Sequence, residues 1–487
     1  MGSISSSAIR LWASLAPRYL PFADVATPDL PLGRLFRLSL FQVSVGASLV
    51  LLVGTLNRVM IVELGVPASL VGIMLALPIV FAPFRALVGH RSDTHRSALG
   101  WRRVPFLWKG TIYQFGGFAM MPFALLVLAG KGASADAPAW IGQGAAAMAF
   151  LMVGAGVHIV QTAGLALATD LTPEESHPRV VGLMYVMLLL GMIVSALAFG
   201  AALRDFNPGR LVQVIQATAL LVVFLNVVSM WKQEPRRRGA ADAAPEPSFA
   251  ETWARFSGTD RTLQHLAVVG IGTLAFGMAD VLLEPFGGQI LAMSVSATTT
   301  LTALFAFGGL LGFWVASHVI AKGADAYSTA RFGALFGVPS FCAVIFAAPL
   351  EFPALFVAGN FGIGFGAALF SHGTLTATMR RAPSDQAGLA LGAWGSVQAT
   401  AAGAAIGLSG VLRDVITTVL DAAGGAWSGA AAAGGYVAVY ALEIALLVVA
   451  VAAMLPLLGT RAGTRELLAD RGPRTSPTLT AGEAESA

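Results

Sequence analysis

The chain has 487 residues, of which 56% are hydrophobic and only 11% are charged, and its formal net charge is +4. Ordinary soluble domains carry roughly 25% charged residues, so this composition, with a mean hydropathy of +0.74, excludes an ordinary water-soluble domain. The single cysteine, Cys342, excludes disulfides within the chain and thiolate metal clusters, and the seven histidines are scattered rather than grouped as metal ligands.

Apolar stretches long enough to cross a bilayer follow one another along the chain. A spanning helix needs about 20 largely apolar residues. We number the twelve stretches that meet this requirement spans 1 to 12: 38–56, 68–88, 104–129, 140–168, 180–203, 211–231, 264–283, 299–320, 330–349, 353–379, 386–412 and 435–458. The sequence therefore predicts an all-α membrane protein with 12 transmembrane helices.

Polar segments divide the chain into two halves of six helices. The motif Leu203–Asp205 recurs as Leu412–Asp414 at corresponding ends of spans 5 and 11, which indicates a repeat with the 6+6 arrangement of the major facilitator fold. Two interpretations of the N-terminal segment remain open, an interfacial helix and a frayed tail. The predicted order is a cytoplasmic segment 1–37, a first half 38–231, a cytoplasmic linker 232–263, a second half 264–460 and a disordered tail 461–487.

Positive charges predict the orientation of the bundle. If the N-terminus is cytoplasmic, 25 of the 30 lysines and arginines fall on the cytoplasmic side. We therefore expect both termini in the cytoplasm of a bacterial inner membrane. The arginines form no stripe interleaved with aromatic residues, so nucleic-acid binding is not expected.

The loop between spans 2 and 3 carries a candidate motif. Asp93 lies where a helix leaves the membrane, with several arginines within reach. Two interpretations remain open. Asp93 and the arginines form a charge-assisted network, or the arginines only anchor the loop on the cytoplasmic side of the membrane. The motif comprises Gly89, Arg91, Asp93, Arg96, Arg102 and Arg103.

Ionisable residues within spans are costly and indicate function by default. Asp280 and Glu284 lie one turn apart in span 7 and share a helix face. Asn57 and Arg58 lie near the outer end of span 1, followed by Glu63. Because spans 1 and 7 are symmetry mates, Arg58 is a candidate partner for Asp280 or Glu284 across the halves. The alternative is a structural ion pair or a solvated helix end.

Several segments resemble the PucC family, including its LhaA branch. The motif Gly89-x-x-x-Asp93 resembles the loop of major facilitator transporters more generally. The segments similar to the PucC family are Gly89–Pro105, Arg37–Val45, Gly54–Leu64, Phe81–Ala86 and Phe276–Gln289. The resemblance implies an assembly factor for photosynthetic light-harvesting complexes, the core antenna slightly favoured over the peripheral one. It also implies transient binding of bacteriochlorophyll for the α and β apoproteins, with the reaction centre and pigment-synthesis enzymes as further partners.

Histidines within the spans are the candidate pigment ligands, since neutral imidazole is a good metal ligand where water is excluded. They are His158, His318 and His372. Gly154 and Gly156 beside His158 are predicted to leave room for a flat macrocycle. The alternative is a histidine hydrogen-bonded to a neighbouring helix. The glycines of span 10, from Gly359 to Gly366, favour close helix packing over a cavity.

Two other functions remain open at this stage. One is a proton-coupled transporter of a small solute, with Asp280 and Glu284 as the coupling carboxylates. The other is a pigment-free scaffold for antenna apoproteins. No nucleotide-binding loop or nucleophile constellation is found in the sequence, so we expect no enzyme.

Overall fold

The computed structural model describes residues 31–78, 101–129, 138–173, 177–234, 261–381, 387–423 and 431–458, and every regular element within them is helical. Lipid offers no partners to backbone N–H and C=O groups, so apolar spans satisfy them within helices. Eleven helices in these residues are long and apolar enough to cross a membrane: Gly33–Glu63, Val104–Leu128, Ala139–Asp170, Val180–Ala202, Pro208–Met230, Thr262–Gln289, Val295–Ala321, Ala326–Ala347, Pro353–Arg381, Ala393–Ala423 and Ala433–Leu457.

These helices are spans 1 and 3 to 12, which confirms the predicted all-helical multi-pass architecture. Span 2 is described only in its first part, the helix Ala68–Ala76, because the description stops at residue 78. Span 1 already begins at Leu32, earlier than its predicted start. Span 11 forms part of a longer helix, Ala387–Ala423, which extends beyond its predicted end at residue 412.

The two symmetry-related spans 1 and 7 are both irregular. Span 1 changes from α-helix to π-helix over Val50–Leu56 and again over Val59–Glu63. Span 7 is broken at Met278 into the helices Thr262–Gly277 and Ala279–Gln289. Such interruptions free backbone groups and often mark functional positions in membrane bundles.

Spans 1 and 7 run in parallel, and the described chain starts and stops at one end of the bundle, which we call the terminal end. The opposite end is the far end. Between the halves, span 5 packs along span 8 and span 2 along span 11. Within each half, spans 3 and 4 form one tight pair and spans 9 and 10 another.

Candidate functional site

Polar side chains join spans 1, 7 and 8 toward the far end. Asn57 is fully buried, and its Nδ2 donates to the backbone oxygen of Val281 at 2.7 Å. The guanidinium of Arg58 pairs with Glu63 at 2.5 Å and also donates to the backbone oxygen of Met293 at 3.1 Å. The bonds to the backbone oxygens of Val281 and Met293 connect the first half to the second.

The observed partner of Arg58 differs from the carboxylates considered across the halves. Arg58 pairs with Glu63 because Arg58 directly precedes the π-helical stretch Val59–Glu63, in which residues five positions apart lie on the same face. Glu284 remains within electrostatic reach of Arg58, but its hydrogen bond comes from the hydroxyl of Thr302 in span 8. Gly54 in span 1 permits this approach, since a Cβ there would overlap the carboxylate of Glu284.

A second polar cluster at the far end is centred on Arg413 in span 11. Its guanidinium pairs with Asp414 at 2.8 Å and donates to Gln289 of span 7 at 2.8 Å. Tyr436 of span 12 donates to the same Gln289 oxygen at 2.7 Å. Asp414 accepts the backbone N–H of Ser69 at 2.6 Å, at the start of span 2. We call the contacts of Arg58 and Arg413 together the far-end seam.

A buried carboxylate in span 12 was missed by the sequence reasoning. Glu443 has no exposed surface, and its carboxylate lies beside the backbone amide of Ala279 without a hydrogen bond of normal geometry. Asp280, which opens the second helix of span 7 and has an exposed side chain, is within electrostatic reach of Glu443. An acidic residue midway along a predicted span was the signal that could have identified this position.

Two of the three candidate histidines lie on neighbouring surfaces of spans 8 and 10. His318 is exposed and stacks face to face on the exposed Trp314, with ring centroids 5.5 Å apart. His372 is half-buried, with Nε2 at 3.2 Å from the hydroxyl of Ser317 and its ring edge-on to Phe313 at 4.6 Å. Its Nδ1 is buried without a hydrogen-bond partner, so the ring keeps one nitrogen uncommitted.

The surroundings of His158 contradict the predicted space for a macrocycle. A Cβ on Gly156 would lie 2.6 Å from the backbone nitrogen of Gln114 in span 3, and one on Gly154 would overlap Pro78. The glycines beside His158 therefore permit helix packing and leave no open space. In span 10, Gly364 and Gly366 likewise face backbone atoms of spans 8 and 9, which confirms the packing interpretation there.

Of the loop motif, Arg102 and Arg103 are described, while Gly89, Arg91, Asp93 and Arg96 lie outside the described residues. Both arginines pair with Asp170 at the end of span 4, at 2.7 and 2.9 Å. Glu234, just after span 6, accepts the backbone N–H groups of Arg102 and Arg103 at 2.6 and 3.0 Å. The arginines therefore tie the start of span 3 to spans 4 and 6.

The family model described as "PUCC protein" matches residues 55–462. The chain belongs to the PucC family. Protein PucC of Rhodovulum sulfidophilum is 60% identical over 85% of this chain and 92% of the relative. Protein PucC of Rhodobacter capsulatus is 58% identical over 93% of this chain and 98% of the relative. The bacteriochlorophyll synthase 44.5 kDa chain of Rhodobacter capsulatus is also similar to this chain, 27% identical over 76% of this chain and 85% of the relative.

Solved structures similar to this PucC-family chain are transporters of the major facilitator type. A bacterial homologue of the human lysosomal transporter Spinster, in an inward-facing and unoccupied conformation, covers 91% of this chain and 98% of its own, with a TM-score of 0.62 and 15% identity. The nucleoside transporter NupG covers 87% of this chain and 98% of its own, with a TM-score of 0.60 and 12% identity. At these identities the likeness establishes the fold alone.

Proposed function

We propose that this chain is a non-enzymatic assembly factor for light-harvesting antenna complexes, handling bacteriochlorophyll for their α and β apoproteins. The family match carries this proposal, because PucC proteins of purple bacteria share 58 to 60% of the aligned residues over most of the chain. A relative named as a bacteriochlorophyll synthase chain associates the wider group with pigment chemistry. We place the protein in the bacterial inner membrane with both termini in the cytoplasm.

The histidines of spans 8 and 10 support handling of an apolar pigment. His318 and Trp314 are both exposed on span 8, and we propose that this surface is open to lipid. His372 lies against the same span, with its Nε2 bonded to Ser317 and its unpartnered Nδ1 buried beneath the surface. A pigment as apolar as the lipid tails reaches such a surface from the bilayer without entering a central cavity.

Deleting the gene in its pigment-making host tests the proposed function. We expect near-infrared absorption of the antenna to fall several-fold relative to that of the reaction centre, and a plasmid copy to restore it. The full-length protein purified from such cells should carry bacteriochlorophyll at less than one per chain. Normal antenna absorption in a verified deletion strain would overturn the proposal.

The histidine assignment is tested with His318→Leu and His372→Leu. Each should lower the pigment bound per purified chain at least about twofold, because a single axial ligand is lost while leucine is readily accommodated in a lipid-exposed helix. His158→Leu should have a smaller effect, since its flanking glycines are filled by neighbouring helices. The matched control is Met379→Leu, an exposed position in span 10. Full pigment in both variants would refute the assignment.

A proton-coupled transporter is the second candidate function. It is favoured by the fold and by the buried acids Glu284 and Glu443, since intramembrane carboxylates serve as proton relays. The purified protein would then be colourless, the deletion strain would keep its antenna, and reconstituted vesicles would couple solute entry to proton movement. The same deletion experiment therefore separates the two functions.

A further inference from the structure

A lateral groove runs between spans 3 and 6 in the first half. It consists of two adjoining cavities of about 720 and 610 Å³, which share Trp108 and Val227 as walls. The first cavity opens at the terminal end, among Trp101, Trp231 and Lys232. The second continues toward the middle of the bundle along apolar side chains such as Phe224. The two cavities therefore form one path from the interface into the lipid-facing surface.

Hydrogen bonds within the protein hold the mouth of this groove in place. The guanidinium of Arg34 donates to the side-chain and backbone oxygens of Gln233 at 3.0 and 2.6 Å, and Gln233 is almost fully buried. Glu234 accepts the backbone N–H of Val104 at 2.9 Å, at the start of span 3. Lys232 adopts a left-handed backbone (φ 53°), which turns the chain so that the next two side chains point back into the bundle.

The groove has a gradient of polarity along its length. Its mouth carries the cations of Arg34 and Lys232 and three indole rings, whereas its inner part is lined almost entirely by apolar atoms. Among the inner residues, the hydroxyl of Thr111 already donates to Leu107 in its own helix. A ligand that fits this gradient has a polar-edged flat head at the mouth and a long apolar tail inside.

The size of the groove selects between possible occupants. A cavity of about 720 Å³ lies within the range of pockets that hold one cofactor-sized molecule. A membrane-spanning helix about 10 Å across and about 30 Å long occupies roughly 2,400 Å³, which is more than the two cavities together. The groove therefore cannot enclose a whole antenna apoprotein helix, whereas a single tailed macrocycle is of the size it can hold.

We propose that this groove between spans 3 and 6 binds a tetrapyrrole with an isoprenoid tail, of the bacteriochlorophyll type. This inference rests on the proposed function for the identity of the pigment. The ring stacks on Trp108 and its neighbouring indoles, its peripheral oxygens accept hydrogen bonds at the mouth from Lys232, and the tail lies along Phe224. Among the described residues that line the two cavities, none is a histidine. In this proposal these residues hold the ring by stacking and hydrogen bonds, which suits release.

The test is a titration of the purified full-length protein in nanodiscs with bacteriochlorophyll a, read by quenching of tryptophan fluorescence. Val227→Trp fills the wall that the two cavities share, and Trp108→Ala removes the central ring. Pigment binding should weaken at least about tenfold in each, because loss of a buried aromatic anchor commonly has that effect. Retained pigment absorbance in pulled-down nanodiscs provides a second reading that does not depend on tryptophan.

Matched controls leave the groove intact. Leu221→Trp adds an indole to span 6 at an exposed position off the groove, and Trp140→Ala removes an exposed tryptophan of span 4. Both should bind pigment as the wild type does. Wild-type pigment binding in both Val227→Trp and Trp108→Ala would refute the proposal that the groove binds pigment, and membrane lipid would remain as its occupant. That result would not affect the proposed function, which the deletion strain tests separately.

Discussion

Replacing Gly156 with leucine should remove most of the folded protein from the membrane. A Cβ at this position would lie 2.6 Å from both the backbone oxygen of Gly110 and the backbone nitrogen of Gln114 in span 3. Backbone atoms cannot rotate away, so spans 3 and 4 would have to separate. Overpacking commonly costs 1 to 3 kcal/mol, and a clash with backbone lies at or above the upper end, about 3 kcal/mol.

The control for this substitution lies in the same helix. Gly144 has no atom within 4 Å of its would-be Cβ and is exposed. Gly144→Leu should therefore be neutral or stabilising by up to about 1 kcal/mol, because leucine is a better helix former than glycine. Fluorescence-detected size exclusion and thermal unfolding in detergent measure both variants. Equal monodisperse yields of the two would show that spans 3 and 4 are not in close contact at Gly156.

Removing the carboxylate of Asp414 should loosen the far-end seam. The substitution Asp414→Ala leaves Arg413 without its counter-charge and takes away the acceptor of the Ser69 amide. The side chains of Arg413 and Asp414 are only 12% and 20% exposed. We therefore expect a loss of about 2 kcal/mol, between the values for exposed and fully buried pairs. The Ser69 amide should exchange its hydrogen faster.

The internal repeat supplies the matched control. Asp205 occupies the corresponding position in the first half, but it is 81% exposed and pairs with Arg210 at 3.5 Å. Asp205→Ala should change stability by less than about 1 kcal/mol. Asp414→Asn separates the two roles, since it keeps an acceptor for Ser69 but loses the charge. If the Asp414→Ala and Asp205→Ala variants were equally stable, the contacts of Asp414 would contribute nothing to the stability of the bundle.

The sequence was sufficient to predict where helices lie, because apolar length determines a membrane span. Span 4 was predicted at 140–168 and is found at Ala139–Asp170. The resemblance to the PucC family, based on motifs of both halves, was confirmed as family membership. The break at Met278 was not predicted, because the sequence around it is as apolar as a continuous helix would be.

The detailed geometry of the sites depended on local irregularities of the backbone and on contacts between distant segments. Glu63, rather than an acid of span 7, pairs with Arg58, because the π-helical backbone of span 1 turns both side chains toward each other. The groove between spans 3 and 6 could not be predicted at all. Its mouth depends on Arg34 meeting Gln233, 199 positions later in the chain.

The far-end seam has a mechanical consequence for the opposite end of the bundle. A span of 27 residues such as Val295–Ala321 is about 40 Å long. With the halves joined at one extremity by the bonds from Arg58 to Met293 and from Ser69 to Asp414, each half is a lever of nearly that length. A rotation of only about 10° around the seam would separate the terminal ends by about 7 Å on this helix geometry. A small angular change at a few buried hydrogen bonds is thereby converted into an opening wide enough to pass a flat ring edgewise.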